Sequence, residues 1–439
     1  MKRAALFLLM FLLSGCAHSP HNHAYVSQSL TERTGHDLSA ITKSEAFKLP
    51  EKISLADGLA ADEAVAIALW NNAQFQADLT ELGFARADLI EAGLLRNPML
   101  SLLFPVGPKQ LEATLSLPVD LLWQRPKRVA AAKLDAERVA ENLVQHGLDL
   151  ARDVMIAHAE LALADERKNL AAENVRVQGE IANIAAARLR AGDISELEES
   201  ASRLEALRAQ EISVRRTQEA ENAKARFTTL LGFSVRDTTF SLISTTEPEL
   251  PARTFTELTN AAFASRPDLR AAELNIEAAG KRLGWERAKI FTLTGVLDAN
   301  GAGKEGFEMG PGAQIELPLL NWNNGKTARV HAQIEQAARQ YLAAKHRIAL
   351  EVKAAHVDHL AAQQALALCR TQWVPAATEA ANRAQKAYVA GEVSYLFVLE
   401  INRQLLDARL REAEAAADLH RAEARLKHSV GFYQAKHEN

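Results

Sequence analysis

Strict alternation of apolar and polar residues marks two short stretches of the chain. Residues 111–117 read Leu-Glu-Ala-Thr-Leu-Ser-Leu, and residues 313–317 alternate in the same phase. Because successive side chains of a β-strand point to opposite faces, each stretch predicts a strand with one apolar and one polar face. The apolar positions are Leu111, Ala113, Leu115, Leu117, Ile315 and Leu317, and the polar positions are Glu112, Thr114, Ser116, Gln314 and Glu316.

Each alternating stretch follows a segment that also reads as a strand, at 98–104 and 291–298. We therefore predict two β-hairpins and four strands, with turns over 105–110 and 300–309. Residues 301–306 have the glycine spacing of a phosphate-binding loop. A strand rather than a helix follows them, which favours a hairpin turn.

A very long helix is predicted after each hairpin. Residues 127–190 contain no proline, and at about 1.5 Å per residue such a helix would be roughly 96 Å long. The equivalent segment 326–390 contains a single proline, Pro375, where we expect a local break. Gly192 and Gly391 stand at the predicted ends, where glycine suits a left-handed cap.

A second helix is predicted to return from each glycine, over 196–231 and 396–430, and a shorter helix precedes each hairpin, over 60–95 and 256–290. Apolar residues follow coiled-coil spacing in the returning helices, and alanine is abundant. The pattern therefore predicts long helical hairpins packed along a narrow seam.

An internal repeat of about 200 residues organises these elements. Leu117-Pro118 recurs as Leu317-Pro318, and the sequence Ala-Gly-Asp-Ile-Ser of 191–195 recurs as Ala-Gly-Glu-Val-Ser at 390–394. Solenoid repeats have periods of 20–50 residues, so this longer period indicates a duplicated domain. The Thr/Ser/Pro-rich stretch 238–251 marks the boundary between the halves.

The N-terminus reads as an export signal. Two basic residues precede a ten-residue apolar run, which is too short to cross a membrane. The run ends in Leu-Ser-Gly-Cys, which resembles the lipobox of bacterial lipoproteins, in which the cysteine, here Cys16, becomes the acylated first residue. In such proteins a residue other than Asp after the cysteine implies the outer membrane, and Ala17 follows here.

These observations predict four segments. Residues 1–15 are a lipoprotein signal peptide, 16–55 a lipid-anchored polar tether, and 56–245 and 246–439 the two repeats. The histidines of the tether could bind a metal, but a solvated linker is the simpler interpretation.

Composition and motifs favour no enzyme. A formal charge of −4 gives no electrostatic case for a nucleic-acid partner, and two cysteines form no disulfide framework. His356 and His359 are three residues apart, but with no further ligand nearby they read as a solvated helix face. Cys369 reads as a small buried residue. We predict no catalytic site, metal site or cofactor.

The predicted strands require more than one copy of the chain. A sheet with one apolar face can be covered by lipid, but then its edges must close. Membrane barrels have at least about eight strands, so two, three or four chains would have to contribute to one barrel.

The chain resembles the TolC-like outer-membrane efflux channels. The resemblance rests on the duplicated order of helix, hairpin and long helices, on Arg96-Asn97-Pro98 before the first strand, on the repeated Leu-Pro, and on the Gly-x-x-Ser pattern at the helical tips. The resemblance covers about residues 56–434. It implies a mainly α fold with short β, in which duplicated long helical hairpins form a periplasmic α-barrel. Four strands per chain would build a trimeric 12-stranded transmembrane β-barrel.

The resemblance also implies a function and partners. The chain would be a lipid-anchored outer-membrane homotrimer with a long periplasmic extension. It would passively conduct substrates delivered by a proton-driven inner-membrane pump of the RND type through a periplasmic membrane-fusion adaptor. The run from Leu115 to Arg128 looks most like the branch paired with heavy-metal cation pumps. Drug efflux, type I secretion, or a non-channel role as coiled-coil adaptor or structural lipoprotein are the alternatives.

The resemblance to this family also implies roles for individual residues. The polar strand positions would line the barrel lumen. In the family an acidic pair one turn apart helps to close the tunnel, and here Phe397 and Glu400 occupy those positions, so only half of the acidic gate is present. The adaptor would dock on the helical tips, formed by Gly192, Asp193, Ser195, Glu196, Gly391, Glu392 and Ser394.

Overall fold

A computed structural model describes residues 19–38, 47–50, 53–104, 111–233, 240–243, 253–303, 306–390 and 392–431. The signal peptide, Cys16, Gly391 and the first hairpin turn lie outside these residues. The first half contains α1 His23–Thr34, α2 Ala61–Asn71, α3 Ala73–Leu79, α4 Glu81–Gly93, β1 Met99–Leu103, β2 Glu112–Pro118, α5 Leu121–Ala191 and α6 Glu196–Leu230.

The second half has the same order of elements. It contains α7 Phe255–Ser265, α8 Pro267–Ala288, β3 Leu293–Gly303, β4 Gly306–Ile315, α9 Asn324–Leu368, a π-helical segment Cys369–Trp373, α10 Val374–Val389 and α11 Tyr395–Val430. The predicted helix–hairpin–long helix–returning helix order is confirmed in both halves. The single helices predicted before each hairpin are divided, the first into α2, α3 and α4 and the second into α7 and α8.

Local chemistry explains these divisions. Asn72 ends α2 in an extended conformation, and its side-chain Oδ1 accepts a hydrogen bond from the backbone N–H of Phe75 at the start of α3. Pro267 occupies the first position of α8, where its missing N–H costs nothing and its fixed φ suits a helix.

The tether prediction is wrong for residues 23–34. They form α1, in which Val26 and Leu30 are fully buried and the Tyr25 hydroxyl bonds to Glu141 of α5. Burial of these two apolar residues on one helical face explains why the segment does not remain a solvated linker.

The four strands form one antiparallel sheet in the order β1-β2-β3-β4. The two hairpins are joined by pairing of β2 with β3, with Leu115 opposite Leu297. Gly303 pairs with Gly306, so the glycine-rich motif is a hairpin turn, as predicted. The strands of this hairpin extend into the predicted turn, because β3 continues to Gly303.

The long helices differ between the halves. α5 is continuous over 71 residues and includes Pro126 near its start, whereas its counterpart is interrupted by the five-residue π segment directly before Pro375. The predicted break at Pro375 is confirmed. Proline crowds the carbonyl four residues earlier, and here the backbone N–H of Val374 reaches the carbonyl of Cys369, one residue beyond the α-helical partner.

The chain divides into two compact units, each assembled from both halves. One unit comprises Met1–Gln28, Ala77–Gln145 and Arg266–Arg347, and it contains the sheet. The other comprises Ser29–Gln76, His146–Ser265 and Ile348–Asn439. Fully buried residues include Leu143 and Leu274 in the first unit and Val154, Phe227 and Ile348 in the second. Among the described helices, none is both long enough and apolar enough to cross a membrane.

Candidate channel surfaces and helical tips

One face of the sheet collects polar side chains from three strands. Thr114 lies opposite Asp298, and its hydroxyl donates a hydrogen bond of 2.8 Å to Asp298 Oδ1. Thr294 pairs with Gln314 in the same alternation. Directly opposed residues share a face, so the register brings together four of the predicted lumen positions, Glu112, Thr114, Ser116 and Gln314.

Glu316 lies one residue beyond the end of β4. Its carboxylate accepts a hydrogen bond of 3.2 Å from the hydroxyl of Thr292, which lies just before β3. The fifth predicted position therefore lies at the margin of the sheet rather than within a strand.

Further polar residues of this face, among them Asp298, Asn300 and Glu308, escaped the sequence analysis. Glu112 pairs with Asn300, Asn300 pairs with Glu308, and Asp298 lies in the neighbouring row. The polar residues Thr294, Asp298 and Asn300 at even positions of β3 were the available signal. In β4, Gly310, Pro311 and Gly312 obscure the strand pattern. The described strands contain three carboxylates, Glu112, Asp298 and Glu308, and no Lys or Arg.

The opposite face is apolar and uncovered by the described chain. Leu100, Leu115 and Leu297 lie in one row across three strands, and they are 60%, 40% and 38% exposed. Beyond the strands, Phe291 and Leu317 continue this alternation and are also exposed. Large apolar side chains concentrated on one exposed face mark a surface that another apolar medium or chain covers.

The first helical tip is built around Gly192. Its φ of 79° ends α5 in the left-handed region, and the backbone N–H of Asp193 bonds to the Arg188 carbonyl at 2.9 Å. Ser195 then caps α6, accepting a bond of 3.3 Å from the N–H of Glu198. This double cap turns the chain through a short link and leaves Asp193, Ser195 and Glu196 exposed.

The second tip repeats this backbone geometry. The N–H of Glu392 bonds to the Ala387 carbonyl at 2.9 Å, as Asp193 does to Arg188. Ser394 has φ −77° and ψ 158°, against −80° and 156° for Ser195, although its side chain makes no capping bond. Glu392 and Ser394 are exposed.

Aromatic and charged side chains link the helices near the two tips. The Arg188 guanidinium lies 4.7 Å from the centre of the Tyr388 ring, and Arg403 of α11 bonds to Glu205 of α6. Tyr395, at the start of α11, is buried, and its hydroxyl has no hydrogen-bond partner among the described residues. Burial raises the pKa of this hydroxyl, because the phenolate would lose its hydration.

The two predicted gate residues lie on α11, one turn apart. Phe397 is 50% exposed, and Glu400 is exposed and accepts a bond of 3.0 Å from Gln404 Nε2. Both side chains are therefore accessible at the surface of the described chain.

In the described segments, no three His, Cys, Asp or Glu side chains come together as a metal site. The predicted solvated face is wrong for His359, which is 8% exposed because it packs on α11, and burial lowers its pKa. Cys369 is buried, as predicted, beside Leu366 and Leu419.

Residues 258–432 match the outer membrane efflux protein family. The cobalt-zinc-cadmium resistance protein CzcC of Cupriavidus metallidurans is 26% identical over 362 residues, which cover 81% of this chain and 86% of CzcC. CusC, solved in a study of folding and transmembrane channel formation, superposes with a TM-score of 0.73 at 18% identity, covering 90% of this chain and 99% of CusC.

Over its second half the chain therefore resembles the outer membrane efflux protein family, and over most of its length it has the fold of CusC. The outer membrane protein VceC of Vibrio cholerae shares the fold, with a TM-score of 0.71 at 18% identity over 85% of this chain and 96% of VceC. At 18% identity, CusC and VceC show the fold of this chain and no more than the fold. The mostly helical fold with a four-stranded antiparallel sheet is the one that the sequence predicts.

Proposed function

We propose that this TolC-like protein is the outer-membrane channel of a tripartite efflux system and conducts its substrate passively. The observation that carries the proposal is the sheet, which has one exposed apolar face, one polar face and two open edges in β1 and β4. Lipid is the medium that matches the apolar face, and water in a pore is the medium that matches the polar face.

Three copies would close this sheet. Four strands are too few for a membrane barrel, and unpaired strand edges are not tolerated in lipid. In a homotrimer, β4 of each copy would pair with β1 of the next to give twelve strands. The polar set Glu112, Thr114, Ser116, Asp298 and Gln314 would then line the lumen, with Glu316 at its rim.

Metal cations are the substrate class we favour. The polar face contains three carboxylates and no basic residue in the described strands, so the lumen would attract cations. The name of the relative CzcC describes cobalt, zinc and cadmium resistance. Export of an organic compound or a secreted polypeptide is the second candidate, since the shared fold does not specify a substrate.

The helical tips would meet the other components. Both tips expose an acidic residue and a serine after the same cap geometry, and three copies would present six such tips to a periplasmic adaptor. The adaptor would connect the channel to a proton-driven inner-membrane pump. Phe397 and Glu400 would form the gate, with an apolar side chain replacing one acid.

Cys16 would anchor each copy in the outer membrane through acyl chains. Each buried methylene contributes about 0.8 kcal/mol, so several chains hold the protein firmly. We expect mass spectrometry of the mature protein to find an acylated Cys16 at the N-terminus, and an unmodified cysteine or another cleavage site would refute this. The Cys16→Ala variant should still insert, because the apolar face of the sheet remains.

Conductance of the full-length purified protein in planar bilayers tests the channel. We expect discrete conductance steps that favour cations over anions, together with heat-modifiable migration on gels. Replacing Glu112, Asp298 and Glu308 with their amides should reduce the cation preference while leaving conductance steps in place. Absence of any conductance from correctly folded trimers would exclude the channel function.

Deletion of the gene in the native host tests the substrate. Increased sensitivity to cobalt, zinc or cadmium, but not to organic toxicants, is expected for a metal-cation channel. The reverse sensitivity would identify organic-compound efflux instead.

A further inference from the structure

The two repeats differ where the second strand of each hairpin leads into its long helix. The Leu-Pro dipeptide recurs with an offset of 200 residues, but α5 begins at Leu121, whereas α9 begins at Asn324, later than this offset predicts. In the first repeat, Asp120 and Leu121 are both buried, each 5% exposed. In the second repeat, residues 319–322 are not helical and are exposed. We call residues 319–322 the junction segment.

The junction segment presents large apolar side chains. Leu320 corresponds to Asp120 of the first repeat and is 100% exposed, while Leu319 and Trp322 are 77% and 53% exposed. The segment follows Leu317, which continues the apolar face of the sheet. An exposed apolar surface that is continuous with this face favours the same surroundings, and in the proposed channel these are lipid.

Hydrogen bonds hold the junction segment in place. Asn323 has a φ of 58°, and its Nδ2 donates to the backbone carbonyl of Glu286 at 2.8 Å and to the Glu286 carboxylate at 3.1 Å. The backbone N–H of Asn323 donates to Asn321 Oδ1 at 2.9 Å. The segment is thus fixed to the end of α8, and its apolar side chains are held outward by the fold.

Two basic residues follow the junction segment. Residues 324–334 contain Lys326 and Arg329 and no Asp or Glu. Both residues are exposed, and neither forms an ion pair with a residue that the structure describes. The charge of Glu286 acts on Lys326, but the Glu286 carboxylate is already bonded to Lys289 at 2.5 Å. Positive charge is therefore available to an anion beside the apolar segment.

The proposed channel places this junction at the periplasmic surface of the membrane. Both ends of each β-hairpin lead into helices, and α9 alone has 45 residues. The chain therefore leaves the membrane at the junctions, on the side of the helices. The lipid layer at that level is the periplasmic leaflet of the outer membrane.

A phospholipid of this leaflet matches each part of the surface. Its acyl chains suit Leu319 and Leu320. An indole ring such as that of Trp322 prefers the boundary between acyl chains and head groups. Basic side chains close to that boundary attract anionic head groups, and Lys326 and Arg329 follow Trp322 directly along the chain.

We infer that the junction segment inserts into the periplasmic leaflet of the outer membrane and that Lys326 and Arg329 bind the phosphate of an anionic phospholipid there. Each copy carries one such site, because the first repeat has the buried Asp120 at the position of Leu320. The inference rests on the proposed channel, whose sheet lies in lipid, and adds a lipid-binding site to it.

Quenching of tryptophan fluorescence by brominated phospholipids tests the insertion. The full-length protein is reconstituted into vesicles whose lipids carry bromine on the acyl chains close to the head group. Trp322→Phe should reduce the quenched intensity at least twofold. Trp373→Phe is the matched control and should leave it nearly unchanged, because Trp373 is 45% exposed but lies beyond the far end of α9.

A substitution taken from the first repeat gives a second measurement. Leu320→Asp should reduce the quenching of Trp322 at least twofold, because a carboxylate opposes insertion into lipid. Leu197→Asp is its control, since Leu197 is 80% exposed at a helical tip, and it should have no effect on this quenching. Both leucines are exposed, so neither change removes a contact of the core.

The head group is tested in the same vesicles. Brominated phosphatidylglycerol should associate with the Trp322 site at least threefold more strongly than brominated phosphatidylcholine, and Lys326→Gln combined with Arg329→Gln should abolish this preference. Arg339→Gln should preserve it, because Arg339 is an exposed residue of α9 that is already paired with Glu335 at 2.7 Å.

Two results would overturn the inference. If Trp322→Phe changes the quenched intensity no more than Trp373→Phe does, the segment is not inserted. If the wild-type protein does not distinguish the two head groups, Lys326 and Arg329 do not bind the phosphate. Leu115→Trp in the Trp322→Phe background separates these failures from that of the channel. Quenching of this variant by bromine deep in the acyl chains would leave the channel proposal standing, and its absence would refute that proposal as well.

Discussion

His158 is a buried histidine on α5 whose protonation opposes folding. It is 5% exposed, its Nε2 lies 3.2 Å from the Leu59 carbonyl, and its ring packs edge-on against Phe227. Burial lowers its pKa below the ordinary value of 6.5, and the nearby His420 acts in the same direction. The folded state therefore favours the neutral ring.

We predict that acid destabilises the protein through this residue. Above pH 6.5 the ring is neutral in both states, and as the pH falls towards the lower native pKa the unfolded state takes up the proton first, so stability is lost. His158→Gln should reduce the slope of stability against pH by up to about 1.4 kcal/mol per pH unit. Denaturation midpoints between pH 5 and 8 measure this, with the exposed His146→Gln as control. An unchanged slope would contradict the prediction.

Gly192 permits a backbone conformation that other residues adopt at a cost. Its φ is 79°, and an added Cβ would meet no other atom within 4 Å, so strain rather than a clash decides the outcome. We predict that Gly192→Ala destabilises the tip by about 1–2 kcal/mol and speeds hydrogen exchange at the Asp193 amide. Gly179→Ala, inside α5, should instead slow local exchange, because alanine favours helix.

The strands of the sheet present their side chains to two different media in the proposed channel. In outer membranes, a hydrophilic thiol reagent should label Thr114→Cys and Asp298→Cys and should miss Leu115→Cys and Leu297→Cys. These four positions come from two directly opposed pairs, so they are matched in depth along the strands. Labelling of the leucine positions with protection of the other two would reverse the assignment of the faces.

The internal repeat predicts where the long helices end but not every detail of their structure. The 199-residue offset placed both tips, and the Asp193 and Glu392 caps have the same hydrogen bond. Pro375 identified the place of the interruption in the second repeat. The sequence could not reveal that it takes the form of a π segment, because that depends on how α9 and α10 keep their buried faces in register against α11.

We expect export by the channel, but not assembly of the trimer, to depend on the two helical tips. A variant in which leucine replaces all four of Asp193, Ser195, Glu392 and Ser394 should not support export, because the polar surface proposed to bind the adaptor is removed. Trimer content on gels and bilayer conductance should remain near wild type, since these residues are exposed. Full resistance of cells carrying this variant with the native pump and adaptor would refute the docking assignment.

The amino-acid sequence by itself determined the class of fold, the duplication and the two faces of β2. Periodicity of two or of about 3.6 residues is a local property, so Thr114 and Ser116 could be assigned to one face before any partner strand was known. The proline and glycine positions likewise fixed where the long helices turn.

The tertiary structure decided which distant residues meet. Pairing of β2 with β3 brought Asp298 to Thr114 across 184 residues and joined the hairpins into one sheet. It also extended β4 through Gly310 and Gly312, which lack strand propensity, because the backbone hydrogen bonds of β3 require a partner there. The same long-range packing buried α1 and His359, whose local sequences resemble solvated segments, and no periodicity encodes which neighbour covers a face.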